Sequence, residues 1–162
     1  MTASTDDRFI EAMGAIAQAE GTPRIAGQIV GYLALAGEAR SLTDIASGLG
    51  VSKASVSTNV RMLEARGQAI RESRTGSRED HWRVLPPPHE GMLSAMSDRF
   101  LRHAERIEAL AQAMPPGADG KRETVHGFAQ FYRSASELLH DWSVSARREA
   151  TAADPVPQTS GT

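Results

Sequence analysis

Apolar residues recur at steps of three and four in six stretches of the chain, and they alternate with polar ones in a short region near the middle. Phe9, Ile10, Met13 and Ile16 form the first stripe, and Ser4 with Asp7 has capping-box spacing ahead of it. This predicts a helix over 5–19, ended by Gly21. Thr22 as cap and Pro23 at the first helical position open a second helix that faces inward through Ile25, Ile29, Tyr32, Leu33 and Ala36 and stops at Gly37. Its interior glycines, Gly27 and Gly31, lower helix propensity, so they imply close packing against another helix. Ser41 and Asp44 form another capping box before Leu42, Ile45, Ala46 and Leu49, a two-turn helix ending at Gly48-Leu49-Gly50. Ser52 caps the next helix, Val51 and Val56 staple its entry, Val56, Val60 and Leu63 mark its inner edge, and Gly67 closes it.

After Gly67 the period changes from helical to alternating. "QAIRESR" and "DHWRVL" read as a β-hairpin about Thr75-Gly76-Ser77, with Ile70, Trp82 and Val84 inward and Arg71 and Arg74 outward. Pro86, Pro87 and Pro88 forbid continuation as helix or central strand. Two long helices follow, about 89–113 and 119–149, broken apart by Pro115-Pro116-Gly117. Their seams run through Leu93, Met96, Phe100, His103, Ile107, Leu110 and Met114, and through Val125, Phe128, Tyr132, Ala135, Leu139, Trp142 and Ala146, at heptad spacing. The expected organisation is an N-terminal arm and dimerisation helix (1–21), a DNA-binding domain (22–88), two long dimerisation helices (89–149) and a disordered polar tail (150–162). The fold class is mainly α with a small β-hairpin wing.

The two-turn helix, the glycine-containing turn and the stapled helix together make a helix-turn-helix. Its second helix is unusual in being covered with Ser52, Ser55, Ser57 and Thr58, residues that weaken an isolated helix. At about 100° per residue, the side opposite Val56, Val60 and Leu63 carries Ala54, Ser55, Thr58, Arg61, Met62 and Ala65. Short side chains let such a helix lie close in a DNA major groove. Arg61 fits a guanine edge or a phosphate, and Met62 or Ala54 a thymine methyl. The candidate DNA-binding residues are Ser52, Lys53, Ala54, Ser55, Ser57, Thr58, Arg61 and Met62 on the helix, with Arg74 and Arg78 on the wing.

Charge sharpens this picture. The chain of 162 residues has a formal net charge of −2. Between Ser52 and Arg78, however, stand Lys53, Arg61, Arg66, Arg71, Arg74 and Arg78 against Glu64 and Glu72 only, a basic segment in an otherwise acidic protein. Cysteine is absent, which excludes disulfides and thiolate metal sites and makes the cytoplasm the expected location. No long apolar run suggests a membrane span, and "MTASTDDRFI" lacks the basic and apolar regions of a secretion signal.

The stretch "SLTDIASGLGVSKASVSTNVRMLEARG" followed by a hairpin resembles the winged helix-turn-helix of MarR-type transcriptional regulators. "GTPRIAGQIVGYLALAG" is similar to the corresponding helix of the GbsR-like branch. The resemblance implies a dimer built from the first and last helices, a double-stranded DNA partner, and in many relatives release by a small-molecule effector. It also marks a departure: the family's basic wing tip is replaced by Ser77-Arg78-Glu79-Asp80. The expected dimer interface comprises Phe9, Met13, Leu93, Phe100, Ile107, Val125, Tyr132, Leu139 and Trp142, which a twofold axis would bury while setting two recognition helices roughly 34 Å apart.

Other chemistry has little support. Glu137 and His140 have the spacing of a di-iron ligand pair, but those sites need two such motifs. His103 interrupts its helix seam as a satisfied interface histidine or a sensor. Phe128, Tyr132 and Trp142 form an aromatic face suited to dimer core or to a quaternary ammonium. No phosphate loop or nucleophile–base pair occurs. The sequence thus points to a dimeric DNA-binding repressor, with no enzyme activity, cofactor or metal expected. The alternative is a winged-helix module that binds protein without specific DNA recognition.

Overall fold

The computed structural model describes residues 3–73, 76, 79–87 and 89–153. The chain divides into two compact units, Met1–Pro87 and Pro88–Thr162.

The first unit runs α1 (Thr5–Ala19), α2 (Arg24–Ala36), β1 (Arg40–Ser41), α3 (Leu42–Leu49), α4 (Lys53–Ala65), β2 (Ile70–Ser73) and β3 (Asp80–Arg83). Local chemistry sets most boundaries. Ser4 Oγ accepts from the Asp7 N–H while the Asp7 carboxylate accepts from the Ser4 N–H, so the box at the start of α1 is complete. The opening of α2 is one residue later than expected: Pro23 is the cap and Thr22 lies outside, accepting from Arg66 at 2.9 Å. At α3 the Ser41 box is also complete, and its hydrogen bonds, chiefly from the Ser41 side chain, hold the Asp44 carboxyl below the usual carboxylate range.

Ser41 serves two elements, because β1, which the alternation did not reveal, pairs antiparallel with β3 through Arg40↔Trp82 and Ser41↔His81. The hairpin is therefore the outer part of a three-stranded sheet in the order β1-β3-β2, with Arg71 opposite Trp82. Trp82 is buried against Ala26, Ile29, Leu33, Ile45, Val56, Val60, Leu63 and Ala69, which form one core. Helix α1 packs along α2, and the interior glycines explain how: a methyl group on Gly27 would overlap the Met13 carbonyl and lie 2.6 Å from the Ala17 Cβ. Arg24 pairs with Glu11 across the same contact.

The second unit is an antiparallel pair, α5 (Glu90–Gln112) and α6 (Asp119–Ala153). Arg122 stitches the intervening turn, donating to the carbonyls of Met114 and Pro115 at 3.1 and 3.0 Å. The seam corrects the sequence reading. Its buried positions are Leu93, Ser97, Ala104 and Ala111 on α5 and Ala129, Ser136 and Ser143 on α6, small residues mostly seven apart. Ser97 and Ser136 each donate from Oγ to the other's carbonyl at 2.9 Å. Leu93 is spent inside this seam, which removes it from the expected intermolecular surface. Phe128 and Trp142, expected in the seam, lie 100° aside and are exposed. Residues 150–153 extend α6 into the expected tail; the rest of that tail lies outside the described residues.

His89 caps α5 by accepting the Met92 N–H on Nδ1 at 3.2 Å, which requires a neutral imidazole, and burial pushes its pKa down from the ordinary 6.5. Protonation therefore favours the unfolded chain, so this stabilisation is present above pH ~6.5 and is lost as pH falls below it. His89→Asn keeps a cap that does not titrate. Its thermal midpoint should fall less than the wild type's between about pH 7.5 and 5.5; parallel curves would remove His89 as the titrating cap. Gly27→Ala should lower unfolding free energy by about 1–3 kcal/mol in chemical denaturation. An unchanged midpoint would mean that α1 moves away from α2 without cost.

Candidate nucleic-acid interface

Helix α4 is held along one edge only. Val56, Val60 and Leu63 are no more than 1% exposed, and Val51 packs on the same core as Val56, as the staple requires. Ser52 Oγ accepts the Ser55 N–H at 3.1 Å and so caps the helix. The polar side chains that would disrupt an isolated helix are tied to its own backbone: Thr58 Oγ1 donates to the Ala54 carbonyl at 3.1 Å and Asn59 Nδ2 to the Ser55 carbonyl at 2.9 Å. Those bonds leave the hydroxyl lone pairs of Thr58 directed to solvent as acceptors.

The outward stripe is Ala54, Thr58, Arg61 and Ala65, all exposed, with exposed Ser52 and Lys53 at the helix start and half-buried Ser55 and Ser57 beside it. One expected member is corrected: Met62 packs against the core and is half-buried, because its position falls next to Leu63 at the edge of the pinned side. Arg74 and Arg78 on the wing lie outside the described residues, while Gly76 has φ +86°, a left-handed conformation that suits glycine at a hairpin turn.

Three of the described cations of the basic segment hold partners. Lys53 Nζ donates to Thr43 Oγ1 at 3.0 Å and pairs with Glu79 at 3.3 Å. Arg66 turns back to Thr22, and Arg71 pairs with Asp80 at 3.2 Å across the β2–β3 ladder. Among the described basic residues of this segment, only Arg61 has neither a hydrogen bond nor an ion pair. It stands at the mouth of a cleft lined by Leu42, Ser57, Glu64, Arg71, Asp80 and Trp82. Thr43 and Glu79 were not among the expected site residues. Their contact with Lys53 joins positions 10 and 26 residues apart, which no local spacing signals.

The remaining candidates disperse. Among the described residues no group of three or more His, Cys, Asp or Glu is placed to hold a metal ion. Tyr132 packs edge-on against Phe100 and His103 at 5.6 and 5.5 Å between ring centres, inside the second unit, so His103 sits in an aromatic cluster. No helix among the described residues is long and apolar enough to cross a membrane.

Comparison with known proteins finds a family to which this geometry is similar. Residues 20–79 match the MarR family. The HTH-type transcriptional regulator MmpR5 of Mycobacterium tuberculosis is 33% identical over 105 residues, covering 64% of this chain and 58% of that regulator. The chain thus aligns with little more than half the length of that relative. A solved structure described as the crystal structure of a transcriptional regulator superposes with a TM-score of 0.68 at 24% identity, covering 87% of this chain and 99% of the other, which establishes the shared fold. These relatives are regulators and not enzymes. Residues 20–79, with the stapled helix α4 and the hairpin, are similar to the winged helix-turn-helix of the MarR family of transcriptional regulators.

Proposed function

We propose that the protein is a sequence-specific, DNA-binding transcriptional repressor that works as a cytoplasmic homodimer on an inverted-repeat operator, and that a small-molecule effector releases it. The observation that carries this reading is the outward stripe of α4. Its side chains are short, its one long member is an unpaired arginine, and it contains no aromatic or large aliphatic anchor. Protein-binding surfaces depend on such anchors; a major groove accepts short side chains and a guanidinium. The stripe therefore favours DNA over a protein-interaction module. Ser52, Lys53, Ala54, Ser55, Ser57, Thr58 and Arg61 are assigned to this contact, with Arg74 and Arg78 adding backbone or minor-groove contacts. Within the family we place the chain in the GbsR-like branch, on the likeness of residues 21–37.

A dimer is supported by the exposed face of α6. Phe128, Phe131, Leu138 and Trp142 stand at heptad spacing and are 53–72% exposed, and Phe9 and Ile16 are exposed on α1. Phe100, Ile107, Val125, Tyr132 and Leu139 are half-buried and contribute only their exposed edges; Met13 is likewise half-buried, against α2. The effector site is not the cavity between α1 and α2: at about 90 Å³ it is far below the size of an ordinary ligand pocket.

Titration of DNA binding against salt tests the function. Log affinity should fall steeply and linearly with log salt, and footprints on DNA flanking the protein's own gene should show two half-sites about 10 base pairs, or a multiple, apart. Weak, salt-insensitive binding would favour the protein-interaction module. Arg61→Ala should cost about 1–3 kcal/mol of operator affinity at matched salt with an unchanged thermal midpoint. Full affinity would remove Arg61 from the contact. Leu138→Asp should yield a folded monomer by light scattering and lower operator affinity by roughly tenfold or more. A monomeric wild type at micromolar concentration would overturn the dimer. A monomeric variant with wild-type affinity would uncouple the dimer from DNA binding.

A further inference from the structure

Lys53 is the first residue of α4, at the helix end whose backbone N–H groups point outward and favour anions. In the free protein it is already occupied. Its ammonium lies between Thr43 of α3 and Glu79, which directly precedes β3 on the turn side of the hairpin. The His81 imidazole, 3.0 Å from the Glu79 carbonyl oxygen through Nδ1, fixes the backbone at that point. The acid that breaks the basic pattern of the wing is thus directed onto the leading cation of the recognition helix.

This pair does little for the fold. Both side chains are more than half exposed, at 54% and 53%, and exposed pairs contribute little to stability. Its effect falls on binding. A phosphate approaching the start of α4 meets a lysine whose charge is already answered and a carboxylate that must be turned away. We propose that Glu79 is an affinity-limiting residue, an intramolecular competitor that DNA phosphate must displace from Lys53. The proposal rests on the reading of α4 as the DNA-facing helix. It assigns Glu79 the task of holding down sequence-independent binding, since contacts with phosphate supply nearly all of that affinity. Thr43 keeps the released ammonium in place through its hydroxyl.

The test uses the full-length protein and a fluorescein-labelled random-sequence duplex, with affinity measured across a salt series. Glu79→Gln should tighten binding by roughly two- to fivefold at low salt and steepen the slope of log affinity against log salt by about one unit. Its thermal midpoint should not move. In a Lys53→Gln background the same substitution should give a clearly smaller gain, because the cation that the carboxylate covers is gone. A gain that persists undiminished without Lys53 would reduce Glu79 to general repulsion and overturn the proposal. Weaker binding by Glu79→Gln would also overturn it, by showing that the pair positions the wing for DNA. These outcomes are distinct from failure of the underlying reading, in which the wild type itself would show no salt-dependent affinity for DNA.

Discussion

Burial of one edge of α4 is the constraint on which the first unit depends. Val56, Val60 and Leu63 have essentially no exposed surface, and each fully buried aliphatic side chain is worth about 1.5–3 kcal/mol. That edge has to be narrow. Were the pinned side one residue wider, Ser57 and Thr58 would lose solvent and the outward stripe would lose its reach. Asn59 shows how the boundary is managed: it is buried, yet its amide nitrogen donates to the Ser55 carbonyl. The core beneath is assembled from α2, α3 and the sheet, with Trp82 closing it from β3. The same side chains that stabilise the unit thus set which face of α4 points outward.

The electrostatic arrangement follows a similar division. Among its described residues, a segment that is strongly basic in sequence becomes, in three dimensions, a set of local contacts around one cation without a partner. Lys53, Arg66 and Arg71 each point at a partner, and Arg61 does not. Exposed pairs of this kind add little stability, so their consequence is directional. They fix where long side chains lie and decide which positive charge meets an incoming polyanion first.

What the sequence made legible was governed by interactions between near neighbours. Capping boxes at Ser4 and Ser41, the cap at Ser52 and the stop at Gly37 act within a turn of helix, and the structure realises each of them. Gly27 and Gly31 announced a close helix contact because glycine inside a helix has a cost that needs a reason. The misses were of another kind. The strand Arg40–Ser41 is two residues long and exists only because Trp82 and His81 lie opposite. Thr43 and Glu79 join the site through contacts between separate elements. Met62 sits on the margin where a step of 100° per residue divides inside from outside, and packing settled it inward.

The second unit shows why a correct period still gave the wrong contact. Size guided the reading toward Phe, Leu and Trp as the seam, but α5 and α6 approach through Ser97, Ala104 and Ala111 against Ala129, Ser136 and Ser143. Small residues at every seventh position allow close axes, and the reciprocal bonds of Ser97 and Ser136 pin the register with every polar atom satisfied. Leu93 and the half-buried Phe100, Ile107, Tyr132 and Leu139 add apolar burial beside this seam, along helices of 23 and 35 residues. The large side chains form a second stripe, 100° round α6, left in water within the single chain. Phe128, Phe131, Leu138 and Trp142 are each more than half exposed. Apolar patches of that kind on a soluble protein mark places where another surface is required. The twofold assembly proposed here supplies that surface with an identical heptad stripe, which is self-complementary by symmetry.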